Sequence, residues 1–311
     1  MTKKVLIVAS IPDDLRNALA EEFAVTEYNI ETGASLSPES GLAGHEVVVT
    51  RAVYGLPPAA ADQLPDARLL LSFGAGLERI DRADLQRRNI ELVHTPDELT
   101  EDVADYAIGL AYAARRRIAE ADRFVRAGRW RGERFGVSYN LSHARAGILG
   151  MGKIGRRIAD KAQALGMSVS YTARQPLADL PFRYEPTVKA LATASDILFI
   201  ACAGTAETDR IVDAEVLAAL GPTGYLINPA RGSVIDEQAL IAALEARQIG
   251  GAALDVFANE PDIDPRLLAL ENVVLSPHAA SFTHDAREAM VARLMAGARA
   301  YFAQSPTAGA W

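Results

Sequence analysis

The sequence predicts an α/β fold of two doubly wound parallel sheets, and three observations predict it. Short apolar runs alternate with amphipathic segments along nearly the whole chain. The runs are continuous rather than alternating, as in strands buried on both faces, and helix-like spacers between them imply parallel pairing. The chain has 311 residues, 50% hydrophobic and 23% charged, which suffices for about two domains with real cores.

The first series of runs is VLIVAS, EVVVT, LLLSF and ELVHT, with helical patterns such as DDLRNALAEEF and DRADLQRRN between them. After position 140 come AGILG, SVSY, ILFIACA, GYLIN, GAALDV and NVVLS, interleaved with GKIGRRIADKAQALG and DEQALIAALEARQ. Between the two series, Thr100 to Gly128 reads as one long helix crossing between domains. Thr100 opens it with a partial capping box, since Val103 stands where Glu would complete the pattern, and basic residues and a glycine close it. The last helical pattern, THDAREAMVARLMAGARAYFAQ, can return to the first domain. The expected division is therefore a discontinuous domain of residues 1–98 plus 284–311 and a continuous one of residues 99–283. Repeats and low-complexity tracts are absent from the sequence.

Charge excludes some partners. A formal net charge of -8 and a pI near 5.3 give no general attraction to nucleic acid or anionic membrane, so any anion site has to be built locally. No window approaches the ~20 apolar residues of a membrane helix. In MTKKVLIVAS the apolar part is only about six residues, shorter than that of a signal peptide, and reads as a first strand of a cytoplasmic protein. The single cysteine, Cys202, cannot form an intramolecular disulfide and sits in the apolar run ILFIACA, which suits an inert thiol in a reducing compartment.

In GILGMGKIG, Gly150, Gly152 and Gly155 follow a strand-like run and head a helical pattern. That context points to a Rossmann-like dinucleotide site. Gly150 permits the tight turn, Gly152 lets backbone approach a pyrophosphate, and Gly155 lets helix pack on strand. The alternative is a tight βα turn with no ligand. The next strand, SVSYT, ends where a carboxylate would hold the ribose hydroxyls and repel a 2′-phosphate. Thr172 stands there instead, and Arg174 two residues on can fork onto a phosphate or remain a solvated loop arginine. The expectation is NADP(H) preferred, with NAD(H) possible.

Arg231 in INPARGSVID, Glu260 in LDVFANEP and His278 in LSPHAAS each follow an apolar run, at the carboxyl end of a parallel sheet where such folds bind ligands. With SFGAGLERID, LTEDVADYAIGL and GILGMGKIG, these six ordered motifs make the chain resemble the D-isomer-specific 2-hydroxyacid dehydrogenases, a family that includes glyoxylate/hydroxypyruvate reductases. The resemblance covers almost the whole chain. It implies a substrate-binding domain (1–98 plus 284–311), a dinucleotide-binding domain (99–283), an active site in the cleft between them, and reduction of a small 2-oxo acid to the D-2-hydroxy acid. Hydride arriving at the carbonyl carbon builds charge on the oxygen, which a proton must meet. His278 is the expected donor, and by the resemblance Glu260 is its hydrogen-bond partner. Arg231 can fork onto the substrate carboxylate and carbonyl oxygen.

Further assignments follow from the resemblance alone. Ala75 and Gly76 would hold the substrate carboxylate through backbone amides, and Val53, Tyr54 and Gly55 would line its side chain. Asp255 would accept from the nicotinamide carboxamide, Cys202 and Ala203 would flank the adenosine, and Ala230 would lie near the nicotinamide ribose. Val103, Lys153, Ile154, Thr208, His278 and Ala280 complete the expected coenzyme set. The long helix and Arg115, Arg116 and Arg117 resemble the family's homodimer element, although three arginines also suit a solvated face.

No metal is expected: His45, His94, His143 and His284 show no ligand spacing, and the run at Asp262 to Asp264 suits a solvated loop. The chain departs from the family at HTPDEL, where TPG is frequent, at Ala173, where NADP-preferring relatives often carry a hydroxyl, and at Ala203, where proline is common. Two other readings remain: a same-fold dehydrogenase for another small anion such as phosphite, and a non-catalytic nicotinamide-sensing protein of the corepressor kind. Glu260 disfavours formate, whose dehydrogenases carry glutamine there.

Overall fold

The computed structural model describes residues 3–28 and 42–304, and the chain divides into two compact units, Met1–Leu99 with Thr283–Trp311 and Thr100–Phe282. In the first unit, β1 (Lys4–Ile7), β2 (Ala24–Glu27), β3 (Val47–Arg51), β4 (Leu69–Phe73) and β5 (Glu91–His94) form one sheet in the order β2-β1-β3-β4-β5. Every pairing in it is parallel. Successive residues of β1, and Val8 just after it, take opposite faces: Val5 and Ile7 pack with Leu15, Leu19 and Leu294, whereas Leu6 and Val8 pack with Leu56, Leu70 and Leu85. Both faces are thus buried, which is why the strand is apolar without alternation. Helices Asp13–Glu22 and His284–Gln304 supply one layer, and Arg82–Arg87 contributes to the other.

The second unit holds β6 (Arg145–Leu149), β7 (Ser168–Thr172), β8 (Arg183–Tyr184), β9 (Ile197–Ile200), β10 (Tyr225–Asn228), β11 (Gly251–Leu254) and β12 (Val273–Leu275). They run in the order β12-β11-β10-β9-β6-β7-β8, again all parallel. In β9, Leu198 and Ile200 face one core and Ile197 and Phe199 the other, all 0% exposed. The chain order reverses between β6 and β9, and the crevice at such a switch point is where doubly wound sheets bind ligands.

The segment after Thr100 departs from the single helix expected. It forms two helices, Thr100–Arg115 and Ile118–Arg126, broken at Arg117, which takes the left-handed conformation with φ 54°. Both lie in the second unit, and the longer buries the small residues Ala104, Ala107 and Ala111 against Ile148, Ile227 and Ala253. Nor do the three arginines form a solvated face. Arg115 is only 6% exposed, donates to the carbonyls of Asn140 at 2.7 Å and Asp196 at 3.2 Å, and lies over the rings of Tyr139 and Tyr225. Arg117 donates to Glu120 at 2.7 Å across the break. Among the described residues no helix is long and apolar enough to cross a membrane.

Candidate active site

Four strand ends of the second sheet carry the residues singled out from the sequence. β10 runs into Asn228–Arg231, β11 into Asp255–Glu260, β12 into Ser276–His278, and β6 into the glycine turn. Parallel pairing puts all of these segments at one edge of the sheet.

The turn after β10 is braced by Asn228, whose amide oxygen accepts from Ala230 N at 3.0 Å and whose amide nitrogen donates to Arg231 O at 2.9 Å. The Arg231 guanidinium donates to Ala230 O at 2.7 Å. Gly232 then lets this turn press on the loop after β11, because a Cβ there would lie 1.9 Å from Phe257 O. Within that loop Phe257 N donates to Glu260 Oε1 at 2.9 Å, which leaves the other carboxylate oxygen for His278 Nδ1 at 2.7 Å. Burial alone would raise the Glu260 carboxyl, but the bonds from His278 and Phe257 and the charge of Arg231 outweigh it and hold the group below its usual range. An ionised Glu260 only accepts, so Nδ1 carries the hydrogen and Nε2 is the ring nitrogen left for proton exchange.

His278 itself has φ 55°, a left-handed conformation that costs a non-glycine residue about 1–2 kcal/mol. Asp255 holds it there. Its backbone oxygen accepts from His278 N at 2.9 Å, and its carboxylate accepts from Ala279 N at 2.8 Å, Ala280 N at 2.9 Å and the Ser276 hydroxyl. The Asp255 side chain is fully buried, so its first role is to hold the His278 turn; the carboxamide contact expected from the resemblance would have to use what lone-pair capacity these donors leave.

The turn after β6 fits a dinucleotide. Gly150 has φ 96°, and a Cβ there would lie 2.6 Å from Cys202 N; one on Gly155 would lie 2.0 Å from Gly150 O. A Cβ on Gly152 would meet nothing within 4 Å, so its lack of a side chain serves open space rather than packing. Helix Lys153–Ala164 starts at Gly152 with no side-chain cap, which leaves its first-turn amides to an anion. Lys153 and Ile154 open this helix, exposed and half-buried respectively, and Val103 lies buried in helix Thr100–Arg115.

At the end of β7, Thr172 stands where a carboxylate would hold the ribose. Its hydroxyl is turned inward, donating to Glu185 O at 2.6 Å in a residue 8% exposed, and contributes only the absence of a carboxylate. Arg174 projects into solvent and meets Glu207 at 3.3 Å. Across the β9 loop, Thr208 donates to Ala203 O at 2.6 Å and so folds the segment beside Cys202. The Cys202 thiol is pushed up to about 11 by burial, an unreactive state at neutral pH.

In the first unit, Val53, Tyr54 and Gly55 follow β3, and Ala75 and Gly76 follow its neighbour β4. Gly55, with φ 67°, packs so closely that a Cβ would lie 2.0 Å from Arg79 O, which joins the two loops. Gly74 N donates to Thr95 Oγ1 at 2.9 Å, and Ala75 O lies 3.3 Å from His94 Nδ1. His45 is buried, with Nδ1 donating to Leu42 O at 2.9 Å and Nε2 bonded to Thr26, a core role. No group of three metal-ligating side chains exists among the described residues.

Asn228, Ser276 and Tyr106, whose hydroxyl lies 2.7 Å from Ser276 Oγ, were not selected from the sequence. Asn228 had a usable signal, the turn-forming Asn-Pro pair. Ser276 and Tyr106 had none, being 170 positions apart.

Residues 108–280 match the family model described as D-isomer specific 2-hydroxyacid dehydrogenase, NAD binding domain. The chain is 40% identical over 298 residues, 96% of its own length and 95% of the relative's, to a glyoxylate/hydroxypyruvate reductase A of Arabidopsis thaliana. It is 36% identical, with a TM-score of 0.91 over 98% of this chain and 95% of the other, to an NADPH-dependent glyoxylate/hydroxypyruvate reductase of Sinorhizobium meliloti solved with NADP and malonate. A 2-hydroxyacid dehydrogenase from Ketogulonicigenium vulgare Y25 superposes with a TM-score of 0.90 at 36% identity, over 98% of this chain and 97% of that one.

Proposed function

Because the chain belongs to the D-isomer-specific 2-hydroxyacid dehydrogenase family, we propose that it reduces a small 2-oxo acid, glyoxylate, hydroxypyruvate or a close analogue, to the D-2-hydroxy acid, with NADPH preferred over NADH. The observation that carries this reading is the His278–Glu260 hydrogen bond of 2.7 Å, at the same sheet edge as Arg231 and an uncapped glycine turn.

Gly150, Gly152, Gly155 and the first amides of the following helix would hold the coenzyme pyrophosphate, and bound coenzyme supplies a hydride to the substrate carbon. The chain's own residues do the rest. Arg231, always charged, holds the substrate carboxylate and polarises the carbonyl. His278 Nε2 gives its proton to the carbonyl oxygen, while Glu260 keeps Nδ1 protonated and stabilises the charged ring before the transfer. In the oxidative direction the neutral ring accepts the proton. Backbone amides at Ala75 and Gly76 are proposed to bind the carboxylate, and Val53, Tyr54 and Gly55 to contact the substituent. Val103, Lys153, Ile154, Cys202, Ala203, Thr208, Ala230, Asp255 and Ala280 stand as the proposed remainder of the coenzyme set.

Preference for NADPH is supported by Arg174 and by the absence of a carboxylate at Thr172, together with NADP in the Sinorhizobium meliloti structure. A homodimer is proposed because apolar side chains stand exposed close together in sequence: Ile118, Val125, Trp130, Val137 and Tyr139, with Val137 95% exposed. The cytoplasm is proposed on the lone cysteine, which has no intramolecular thiol to pair with.

The test follows NADPH absorbance with glyoxylate, hydroxypyruvate, pyruvate and phenylpyruvate. Turnover that disappears in His278→Ala and Arg231→Ala supports the reading, and NADPH binding without turnover of any of the four overturns it.

A further inference from the structure

We propose that Tyr106 and Ser276 are positioning residues, a two-hydroxyl line that sets the His278 turn through Asp255; this rests on the reading of His278 as the proton donor. Ser276 Oγ donates to Asp255 Oδ1, and a carboxylate can only accept. A hydroxyl has one hydrogen, so Ser276 offers only lone pairs to Tyr106, and the Tyr106 hydroxyl at 2.7 Å is the donor. The line therefore has one direction, from Tyr106 through Ser276 to Asp255. Ser276 is 6% exposed and Asp255 0%, so neither end of that second bond can be exchanged for water without opening the turn.

Every backbone N–H from His278 to Ala280 ends on Asp255: His278 N on its carbonyl, Ala279 N and Ala280 N on its carboxylate. The orientation of that one carboxylate thus decides where the left-handed His278 backbone sits. Tyr106 lies on helix Thr100–Arg115, which packs against β11 and β12, the two strands that lead into Asp255 and Ser276. A rigid helix anchors the turn from outside the loops that carry the chemistry. Without the Tyr106 hydroxyl, a buried Ser276 lone pair loses its donor, and the Ser276–Asp255 bond loses the polarisation and anchoring that the line supplies. The consequence falls on proton transfer, because Arg231 is not part of the line.

Two measurements test this: steady-state kinetics with NADPH and the best oxo acid, and amide exchange at Ala279 and Ala280 by NMR in the coenzyme-free protein. Tyr106→Phe is expected to lower kcat about 3- to 10-fold with the oxo-acid KM held within about twofold, and to speed exchange of both amides about tenfold. Ser276→Ala has at least the same effect, and Ser276→Thr, which keeps the hydroxyl, restores both readouts. The double variant Tyr106→Phe/Ser276→Ala is no slower than Ser276→Ala alone, since both break one line. Wild-type kcat and exchange in Tyr106→Phe overturn the proposal, as does Ser276→Thr as impaired as Ser276→Ala. If the wild-type protein reduces no oxo acid, the reading of the reaction fails, and the exchange rates alone decide whether the line holds the turn.

Discussion

His278 Nδ1 and Glu260 Oε2 lie 2.7 Å apart although 18 positions separate them in the chain. A carboxylate behind an imidazole fixes its tautomer and orients the ring. His278→Ala is expected to lower kcat by about 10²- to 10⁴-fold and to leave the NADPH dissociation constant within about threefold, since the proposed coenzyme grip is the glycine turn. Glu260→Gln keeps the shape and loses the charge, and its loss in kcat is smaller, about 10- to 100-fold. Stopped-flow reduction and fluorescence binding check the two values separately.

Stability should depend on pH through the same pair. The Glu260 carboxyl is held below its usual value in the folded protein, with burial opposing the shift and the His278 bond, the Phe257 amide and Arg231 outweighing it. Such a group contributes stability fully present above its unfolded value, about 4.3, and lost as pH falls through the lower folded value. The melting-temperature difference between wild type and Glu260→Gln is expected to shrink as pH falls from about 6 to below about 4. Thermal melts across that range check it; a difference that grows on acidification contradicts the sign.

Arg231 stands on a turn braced by Asn228, and its planar fork matches a carboxylate beside a carbonyl. Arg231→Lys retains charge and loses the fork. The expected result is a fall of about 10²-fold or more in kcat/KM for the oxo acid, shared between kcat and KM, with NADPH affinity unchanged. Initial-rate kinetics over both substrates separate the parts.

The glycines of the turn should divide into two kinds. At Gly155 an added methyl would sit 2.0 Å from Gly150 O, so Gly155→Ala is expected to lower the melting temperature by several degrees. At Gly152 the same methyl meets nothing within 4 Å, and φ is -74°. Gly152→Ala is expected to melt within about 2 °C of wild type yet bind NADPH about tenfold more weakly or worse, because the methyl occupies the approach to the pyrophosphate. Calorimetry with and without NADPH distinguishes the two.

The proposed preference for NADPH rests on the Arg174 side chain. Arg174→Ala is expected to reduce kcat/KM for NADPH by about 10- to 100-fold and to change that for NADH by less than about threefold. The present partner, Glu207 at 3.3 Å, is an exposed pair of little stability and should yield to a 2′-phosphate. Equal losses with both coenzymes would remove Arg174 from the site.

Two kinds of information were legible before folding. The unalternating runs such as VVV at 47–49 and ILFI at 197–200 became central strands because residues buried on both faces need no polar side. Arg231, Glu260 and His278 stood out because each follows such a run. The segment after Thr100 misled, since a continuous helical pattern does not disclose that Arg115 will turn inward to three backbone carbonyls or that Arg117 will adopt φ 54°. At Thr172 the sequence disclosed the absence of a carboxylate, whereas the direction of its hydroxyl is set by Glu185 O on the neighbouring segment.

By itself the sequence determined the layering of two parallel α/β sheets, the glycine turn at the head of a helix, and the residue types available at the strand ends. These are local matters, settled by hydrophobic pattern and backbone sterics over a few residues. Only the tertiary structure decided that Glu260 would back His278, that Gly232 would press the Arg231 turn on the Glu260 loop, and that Asp255 would be spent on three donors from the His278 turn. Those relations join separate strands, and hydrogen-bond direction and burial exist only once the parallel register has brought the strand ends together.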